Sequence, residues 1–335
     1  MTPSLPATDQ TSPFVSVIIP TYNRKASLLR TLDSLSRQTY PADRFEVVVV
    51  DDGSVDDTPS VVREKYPFSL RYVRQPNQGD AIARNLGAQE SRGDLLIFLD
   101  DDITVVPEFI AGMVKEHQGQ ERLVVAGTLR PATNGGNSPF EKLYVQNAGA
   151  NLDGKVDFTA CLSGILSIRR DDYLRLGMMQ PVTNRGSSVW CDVELGYRAH
   201  LQGFSFKRNR IAIGYHSDFA LRDLATYCQR IHRAAKAAVL LFQKHPQLVQ
   251  FIPMFRDKGP IAWREDRPGL ILRKLARRVA SSRPALWSLE QLVRVLEQRY
   301  PSPTLLRPLY RWIIGGYIFR GYRQGFREYG PVEVP

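Results

Sequence analysis

The sequence predicts an α/β fold: a Rossmann-like, mostly parallel sheet with helices on both faces. Three observations predict it. Between residues 14 and 128, short β-branched runs alternate with amphipathic stretches, the signature of parallel strands joined by helices. The spacing of the runs suits right-handed crossovers. Three of the runs also end in polar clusters, and an open parallel sheet binds ligands at the carboxyl ends of its strands.

The elements follow in order. Residues 1–13, rich in Thr, Ser and Pro, read as a disordered N-terminus. Val15–Ile19 is a buried strand ended by Pro20. Ala26–Ser36 carries Leu28, Leu29, Leu32 and Leu35 at the period of an amphipathic helix. Phe45–Val50 is a strand closed by the turn Asp51-Asp52-Gly53-Ser54. Thr58–Tyr66 reads as a helix, Leu70–Val73 as a strand, Asp80–Ser91 as a helix and Asp94–Leu99 as a strand closed by Asp100-Asp101-Asp102. Pro107 opens a helix to His117, and Leu123–Thr128 is the next strand. Further on, strands are expected at Leu162–Arg169, Phe204–Phe206 and Ile211–Tyr215. Helices are expected at Asp171–Leu176, Asp192–Leu201, Leu221–Lys244, Leu270–Ala280, Leu286–Leu296 and Pro308–Arg320. The domain boundaries drawn from this pattern are 14–250 for the α/β domain and 251–335 for a basic helical extension.

Composition narrows the function. The chain has 335 residues, 43% of them hydrophobic and 24% charged, which suits a folded protein. Its longest stretch without Asp, Glu, Lys or Arg is the 14 residues Gln10–Asn23, short of the roughly 18–20 that a spanning helix needs. Neither a secretory leader nor a transmembrane span is expected. Three scattered cysteines and five histidines argue against a disulfide framework or a thiolate zinc site. Charge is uneven. Residues 1–254 hold 29 basic and 27 acidic residues, whereas residues 255–335 hold 16 and 7. The body is near neutral and the tail carries most of the formal charge of +11, a pattern suited to nucleic acid, an anionic membrane surface or solubility.

The chemistry gathers at the strand ends. Asp52 can accept hydrogen bonds from a base edge or ribose, and Tyr22 can stack on a ring. Asp100, Asp101 and Asp102 repel one another unless a cation neutralises them, and hard oxygen donors suit Mg²⁺ or Mn²⁺; a solvated acidic turn is the plainer alternative. No Gly-rich loop follows the first strand, so a diphosphate would depend on metal and basic side chains, with Arg84 and Asn85 as candidates.

Val17-Ile18-Ile19-Pro20-Thr21-Tyr22-Asn23-Arg24, Val50-Asp51-Asp52-Gly53-Ser54, Arg84-Asn85-Leu86-Gly87 and Phe98-Leu99-Asp100-Asp101-Asp102 together resemble the family 2 glycosyltransferases of the GT-A fold, in the family's order and spacing. The resemblance covers roughly residues 14–245 and implies inverting transfer of a sugar from a nucleoside diphosphate, UDP being the commonest, to an acceptor hydroxyl. It implies that Pro20, Tyr22 and Asp52 hold base and ribose, and that Arg24, Arg84, Asp100 and Asp101 also belong to the nucleotide site. Asp100 and Asp102 match the metal-binding DxD pair, with Asp102 as the direct ligand of Mn²⁺ or Mg²⁺ and His216 as a further ligand in some relatives. Asp192, in Cys191-Asp192-Val193-Glu194-Leu195-Gly196-Tyr197-Arg198, matches the catalytic base, although Cys191 stands where the family commonly has Glu; its other reading is a helix cap. Ser163 and Gly164 match the acceptor side, or else mark a bulged strand.

The family's polymerising synthases carry Gln-x-x-Arg-Trp, which Gln229-Arg230-Ile231-His232-Arg233 is not, so a single-addition enzyme is expected. A nucleotidyltransferase and a nucleic-acid-binding protein are the alternative readings; with the enzyme reading no nucleic-acid partner is expected. The acceptor expected is a glycan or a lipid-linked sugar. Leu270–Val279 alternates apolar and basic residues, and Trp312–Phe319 is an apolar run between Arg311 and Arg320. Both suit contact with a membrane surface through residues 255–330, placing a cytoplasmic enzyme on the inner face of the cell membrane. Packing on the catalytic domain is the alternative for these helices.

Overall fold

The computed structural model describes residues 12–132, 138–142, 154–160, 164–183, 189–217, 223–255, 258–259, 261, 263–264 and 266–332. The chain divides into two compact units. One comprises Met1–Leu129, Asp153–Met179 and Arg198–Gly214; the other comprises Arg130–Leu152, Gln180–Tyr197 and Tyr215–Pro335.

The first unit is built on a sheet whose elements are β1 (Val15–Thr21), α1 (Lys25–Leu35), β2 (Phe45–Asp51), β3 (Ser69–Arg74), α2 (Asp80–Glu90), β4 (Leu95–Leu99), β5 (Ile103–Val105), α3 (Phe109–His117), β6 (Leu123–Pro131), β7 (Gly154–Lys155), β8 (Ile165–Arg169), α4 (Arg170–Arg175), α5 (Cys191–Leu201) and β9 (Ser205–His216). The last residues of β6 and β9, and most of α5, belong to the second unit. Strand order is β3-β2-β1-β4-β8-β6-β9-β5, with β7 paired to β9. β3, β2, β1 and β4 run parallel, while β8 lies antiparallel to both β4 and β6. The chain moves outward from β1 to β3 on one side and then returns to β4 on the other. That reversal opens a crevice at the carboxyl ends of β1 and β4.

Why these segments are strands is visible in their burial. Val15, Val17 and Ile19 pack with Val47, Val49, Leu95, Ile97 and Leu99 beneath Leu28, Leu32 and Leu35 of α1. The alternate residues Ile18, Val48, Leu96 and Phe98 are also fully buried, and Gly87 of α2 lies against Ile18. A strand covered on both faces reads as a continuous apolar run, as expected. The β1–β4 register stops at Ile18↔Phe98, so Pro20, with no N–H to give, lies beyond the last pairing on that side.

Four sequence expectations are corrected. Thr58–Tyr66 forms a 3₁₀ helix over Thr58–Arg63, which stops three residues before the expected end. β5, missed because three residues carry no periodicity, follows directly on the acidic turn. The strands expected at Phe204–Phe206 and Ile211–Tyr215 are one, β9. The last helix begins at Pro303, not Pro308. Pro308 therefore lies inside the helix, beyond the first turn, where it forgoes one intrahelical hydrogen bond. The expected start of the helix at Leu221 lies outside the described residues.

The second unit is helical: α6 (Leu224–Lys244), α7 (Leu248–Phe251), α8 (Pro268–Ala280), α9 (Arg283–Arg299) and α10 (Pro303–Tyr329). α10 packs along α6. A β-carbon at Gly321 would come within 2.2 Å of the His232 carbonyl oxygen, and one at Gly325 within 2.5 Å of that of Lys236; only glycine permits this approach. Tyr322 then packs on Phe242 and Phe255, and Gln243 Nε2 donates to the carbonyls of Tyr329 and Pro331 at 2.8 and 3.0 Å. In the run Trp312–Phe319, Ile313, Ile314, Ile318 and Phe319 are buried, while Trp312 is exposed. Most of that run is core. No helix among the described residues is long and apolar enough to cross a membrane.

One buried titratable group gives the first unit an acid sensitivity. His117 of α3 bonds through Nε2 to Ser167 Oγ of β8 at 2.9 Å. Burial, then the nearby Arg169 and Lys207 charges, pushes its pKa down to about 4. The unfolded value is about 6.5, so the unfolded chain takes up this proton first. The resulting stability is present above pH 6.5 and is lost as pH falls toward 4. It amounts to about 3 kcal/mol at roughly 1.4 kcal/mol per unit. Urea midpoints at pH 7 and pH 4.5 should therefore differ less in His117→Gln than in the unaltered protein.

Candidate active site

Three loops at the carboxyl ends of β1, β2 and β4 are tied to one another. Asn23, after β1, adopts φ +52°, a left-handed conformation that asparagine tolerates. Its backbone N–H donates to Ser54 Oγ at 2.9 Å, and its Oδ1 accepts from the N–H of Val55 at 2.7 Å. Asp51, fully buried, accepts from Ser54 N–H at 2.7 Å and from the Tyr72 hydroxyl. Burial and that carboxylate together raise the Tyr72 pKa above its ordinary value. Asp52 Oδ1 accepts from Gln75 Nε2 at 2.7 Å and Gln78 N–H at 2.8 Å; its Oδ2 accepts from Gly79 N–H at 2.9 Å. The aspartate thus fixes the loop leading into α2. Tyr22, one residue after β1, has 45% of its surface exposed.

The acidic trio is held by two arginines. Arg84, 3% exposed in its side chain, lies between Asp80 at 3.0 Å and Asp100, whose Oδ1 it meets through Nη2. Burial would lower its pKa, but the Asp100 and Asp80 carboxylates hold it above the usual range. Arg24 Nη1 bridges Asp101 Oδ1 at 3.1 Å and Asp102 Oδ2 at 2.9 Å. Asp101 also accepts from Thr21 Oγ1 at 2.7 Å. Burial first, opposed by Thr21 and Arg24, pushes the Asp101 carboxyl up to about 6. Gly164 N-terminal to β8 backs this turn: its carbonyl accepts from Asp100 N–H at 3.1 Å.

No cluster of three or more His, Cys, Asp or Glu side chains among the described residues forms a ready-made metal cage. None is required, because Mg²⁺ at nucleotide sites is usually bound by one or two carboxylates and completed by phosphate oxygens. Asp100 and Asp102 supply hard oxygens of that kind, and the cationic Arg24 already sits on the carboxylates of Asp101 and Asp102. The donor set fits a divalent cation.

The other residues named from the sequence have contacts of their own. Asn85 braces the body: its amide Nδ2 donates to the carbonyl of Met179 at 2.8 Å and its Oδ1 accepts from the Tyr173 hydroxyl at 2.6 Å. In the second unit, Asp192 lies in the first turn of α5 and its Oδ1 accepts from Val193 N–H at 2.8 Å. Trp190 precedes it at φ +69° and donates its indole N–H to the Ala234 carbonyl at 2.7 Å. Glu194, assigned no role from its motif, is fully buried and pairs with Lys244 Nζ at 2.9 Å and His245 Nε2 at 3.0 Å. Fifty residues separate these partners, so no local signal announced them. His216 ends β9 and its carbonyl accepts from Ala132 N–H at 3.1 Å. Ser163 lies outside the described residues.

The fit at Gly164 makes a test. A β-carbon there would fall 2.6 Å from Asp100 Oδ2, on a carboxylate that Arg84 already holds. Gly164→Ala should cost about 1–3 kcal/mol, read as a lower urea midpoint at unchanged slope. The same change at Gly269, where a β-carbon meets nothing within 4 Å, should leave the midpoint unchanged or raised.

Comparison with known proteins agrees with this architecture. Residues 16–173 match the sequence pattern of Glycosyl transferase family 2. The validoxylamine A glucosyltransferase of Streptomyces hygroscopicus subsp. jinggangensis is 42% identical over 284 residues, covering 73% of this chain and 64% of that protein. The chain thus spans a little under two thirds of that relative's length. Among solved structures, the mannosyltransferase PcManGT from Pyrobaculum calidifontis, in complex with GDP-Man and Mn²⁺, superposes with a TM-score of 0.59 at 20% identity, covering 94% of this chain and 89% of that one. Residues 1–349 of S. aureus TarS with UDP-GlcNAc give 0.51 at 17% identity, covering 94% and 91%. With the strand order, the switch point and the acidic turn in place, residues 16–173 match glycosyl transferase family 2, and the chain has a GT-A-type fold.

Proposed function

We propose that this protein is an inverting, metal-dependent glycosyltransferase. It moves a sugar from a nucleoside diphosphate donor, UDP-linked, to an acceptor hydroxyl during assembly of a polysaccharide, lipid-linked or cell-surface glycan. The observation that carries the reading is the acidic turn Asp100–Asp102, set at the sheet's topological switch point and paired with Arg84. The names of its relatives support it: one is a glucosyltransferase, and two structural neighbours hold GDP-Man with Mn²⁺ and UDP-GlcNAc.

In this reading Pro20, Tyr22 and Asp52 receive base and ribose, with Tyr22 stacking on the base. Arg24 and Arg84 meet the donor beside Asp100 and Asp101. Asp102 and Asp100 would hold Mn²⁺ or Mg²⁺, with His216 as a further ligand, and the cation when bound offsets charge on the departing diphosphate. Ser163 and Gly164 border the acceptor. The acceptor oxygen attacks the anomeric carbon on the face opposite the diphosphate, whose bond to that carbon breaks. Asp192 takes the acceptor's proton. Residues 14–250 form the catalytic domain, and the basic extension, 251–335, brings it to the inner face of a membrane where a lipid-linked acceptor is presented.

Thermal unfolding against UDP, GDP, dTDP and CMP, each with and without Mn²⁺, tests the donor site. A ligand at 100 times its dissociation constant adds about 2.7 kcal/mol. One nucleotide should shift the transition and need the metal to do so, and Asp102→Ala should abolish the metal's part. Asp192→Asn should keep that shift while nucleotide release falls about 10²–10⁴-fold. No shift with any nucleotide, or full turnover in Asp192→Asn, overturns the assignment.

A further inference from the structure

α8 turns Lys274, the only buried residue of the helix, inward together with the half-buried Leu270, Ile271 and Arg277. Lys274 is buried and its Nζ pairs with Asp266 Oδ2 at 2.6 Å, both side chains being nearly inaccessible. One turn on, Arg277 lies over Gly315 of α10, where a β-carbon would be 3.1 Å from its Nη1. These contacts attach the helix to its own unit through charged groups. The apolar stripe is left outside: Leu272, Leu275 and Val279, spaced by three and four residues, are 68%, 37% and 73% exposed. Ala276 lies on the same open face, and Arg273 and Arg278 flank it, both exposed. Trp263 and Trp287, just before and just after α8, are exposed as well. Among the described residues, ten of the fourteen exposed large apolar side chains fall between Trp263 and Trp312. The feature is therefore local to this region and not a general property of the surface.

An amphipathic helix normally buries its apolar stripe, and turning it outward costs free energy unless something covers it. We infer that the outward stripe of α8, with Arg273 and Arg278 at its edges, docks on an anionic lipid surface and lies in the headgroup layer. Charge selects this occupant. Residues 255–335 hold 16 basic and 7 acidic residues, so a second copy would set two positive segments face to face, whereas an anionic leaflet attracts each arginine. Exposed tryptophans on the segment before α8 (Trp263) and in α9 (Trp287) suit the membrane–water interface. The inference rests on the membrane contact proposed above and deepens it by naming the element: α8 makes the contact, while most of the Trp312–Phe319 run packs inside the unit.

The test is co-sedimentation of the full chain with vesicles of phosphatidylcholine alone and of phosphatidylcholine mixed with phosphatidylglycerol. Binding is expected to the mixed vesicles and to fall with added salt. Leu272→Asp with Val279→Asp should reduce partitioning more than tenfold. Arg273→Ala and Arg278→Ala should each reduce it about fivefold and flatten the salt dependence. Leu201→Asp, an exposed apolar site in the first unit (65% exposed), should change nothing. All these positions are open to solvent, so melting by circular dichroism should match across the set. Full binding that survives the α8 substitutions overturns the assignment to α8 but leaves membrane contact standing. No binding by the unaltered chain removes both, without touching sugar transfer, which the nucleotide shifts decide. Equal binding to neutral vesicles, or a dimer by sedimentation velocity that Leu272→Asp splits, also overturns it.

Discussion

Asp100, Asp101 and Asp102 place three carboxylates on consecutive residues at the end of β4, and much of the first unit's site is arranged around their repulsion. Two guanidiniums balance them from opposite sides: Arg84, buried in α2, and Arg24, exposed after β1. Each arginine also ties a separate element to the turn. α2 is held through Asp80 and Asp100, while the loop after β1 is held through Asp101 and Asp102. Removing either partner of such a pair would leave charge poorly compensated in a region with little water, where the cost is highest. The same crowding suits a divalent cation. In the proposed reaction the cation would add to the positive charge that Arg24 and Arg84 already bring to the turn.

The loops at the other strand ends show how a ligand site can be rigid without regular secondary structure. Asn23, Asp51 and Asp52 act mainly through backbone N–H groups of neighbouring loops. Buried peptide N–H groups must find acceptors, and carboxylates at strand ends supply them. These residues therefore serve the scaffold and leave only part of their bonding capacity for a ligand. Tyr22, by contrast, is 45% exposed, which leaves surface for the stacking proposed for it.

The second unit solves a different problem. α6 and α10 approach so closely that Gly321 and Gly325 leave no room for a side chain. That contact, with the aromatic cluster of Phe242, Phe255 and Tyr322, supplies a core independent of α8. The unit can consequently spare α8's apolar residues from packing. Glu194, fully buried between Lys244 and His245, anchors the start of α5 to the end of α6, and so fixes the turn that carries Asp192.

Sequence by itself determined the parallel half of the sheet, because strands buried on both faces must be continuously apolar and Val15–Ile19, Phe45–Val50 and Asp94–Leu99 could be little else. It also located the polar clusters that end those strands, since turn chemistry and charge are local properties. It did not determine partners. That Arg24 and not only Arg84 serves the acidic turn, that Asn85 braces Met179, and that Glu194 meets Lys244 and His245 depends on contacts between residues 16 to 94 positions apart. Orientation was hidden for the same reason. Leu270–Val279 and Trp312–Phe319 look alike as apolar runs with basic neighbours, yet one turns its stripe to solvent and the other to the core. Periodicity says that a helix has an apolar face; only the packing of the surrounding elements decides which way that face is turned.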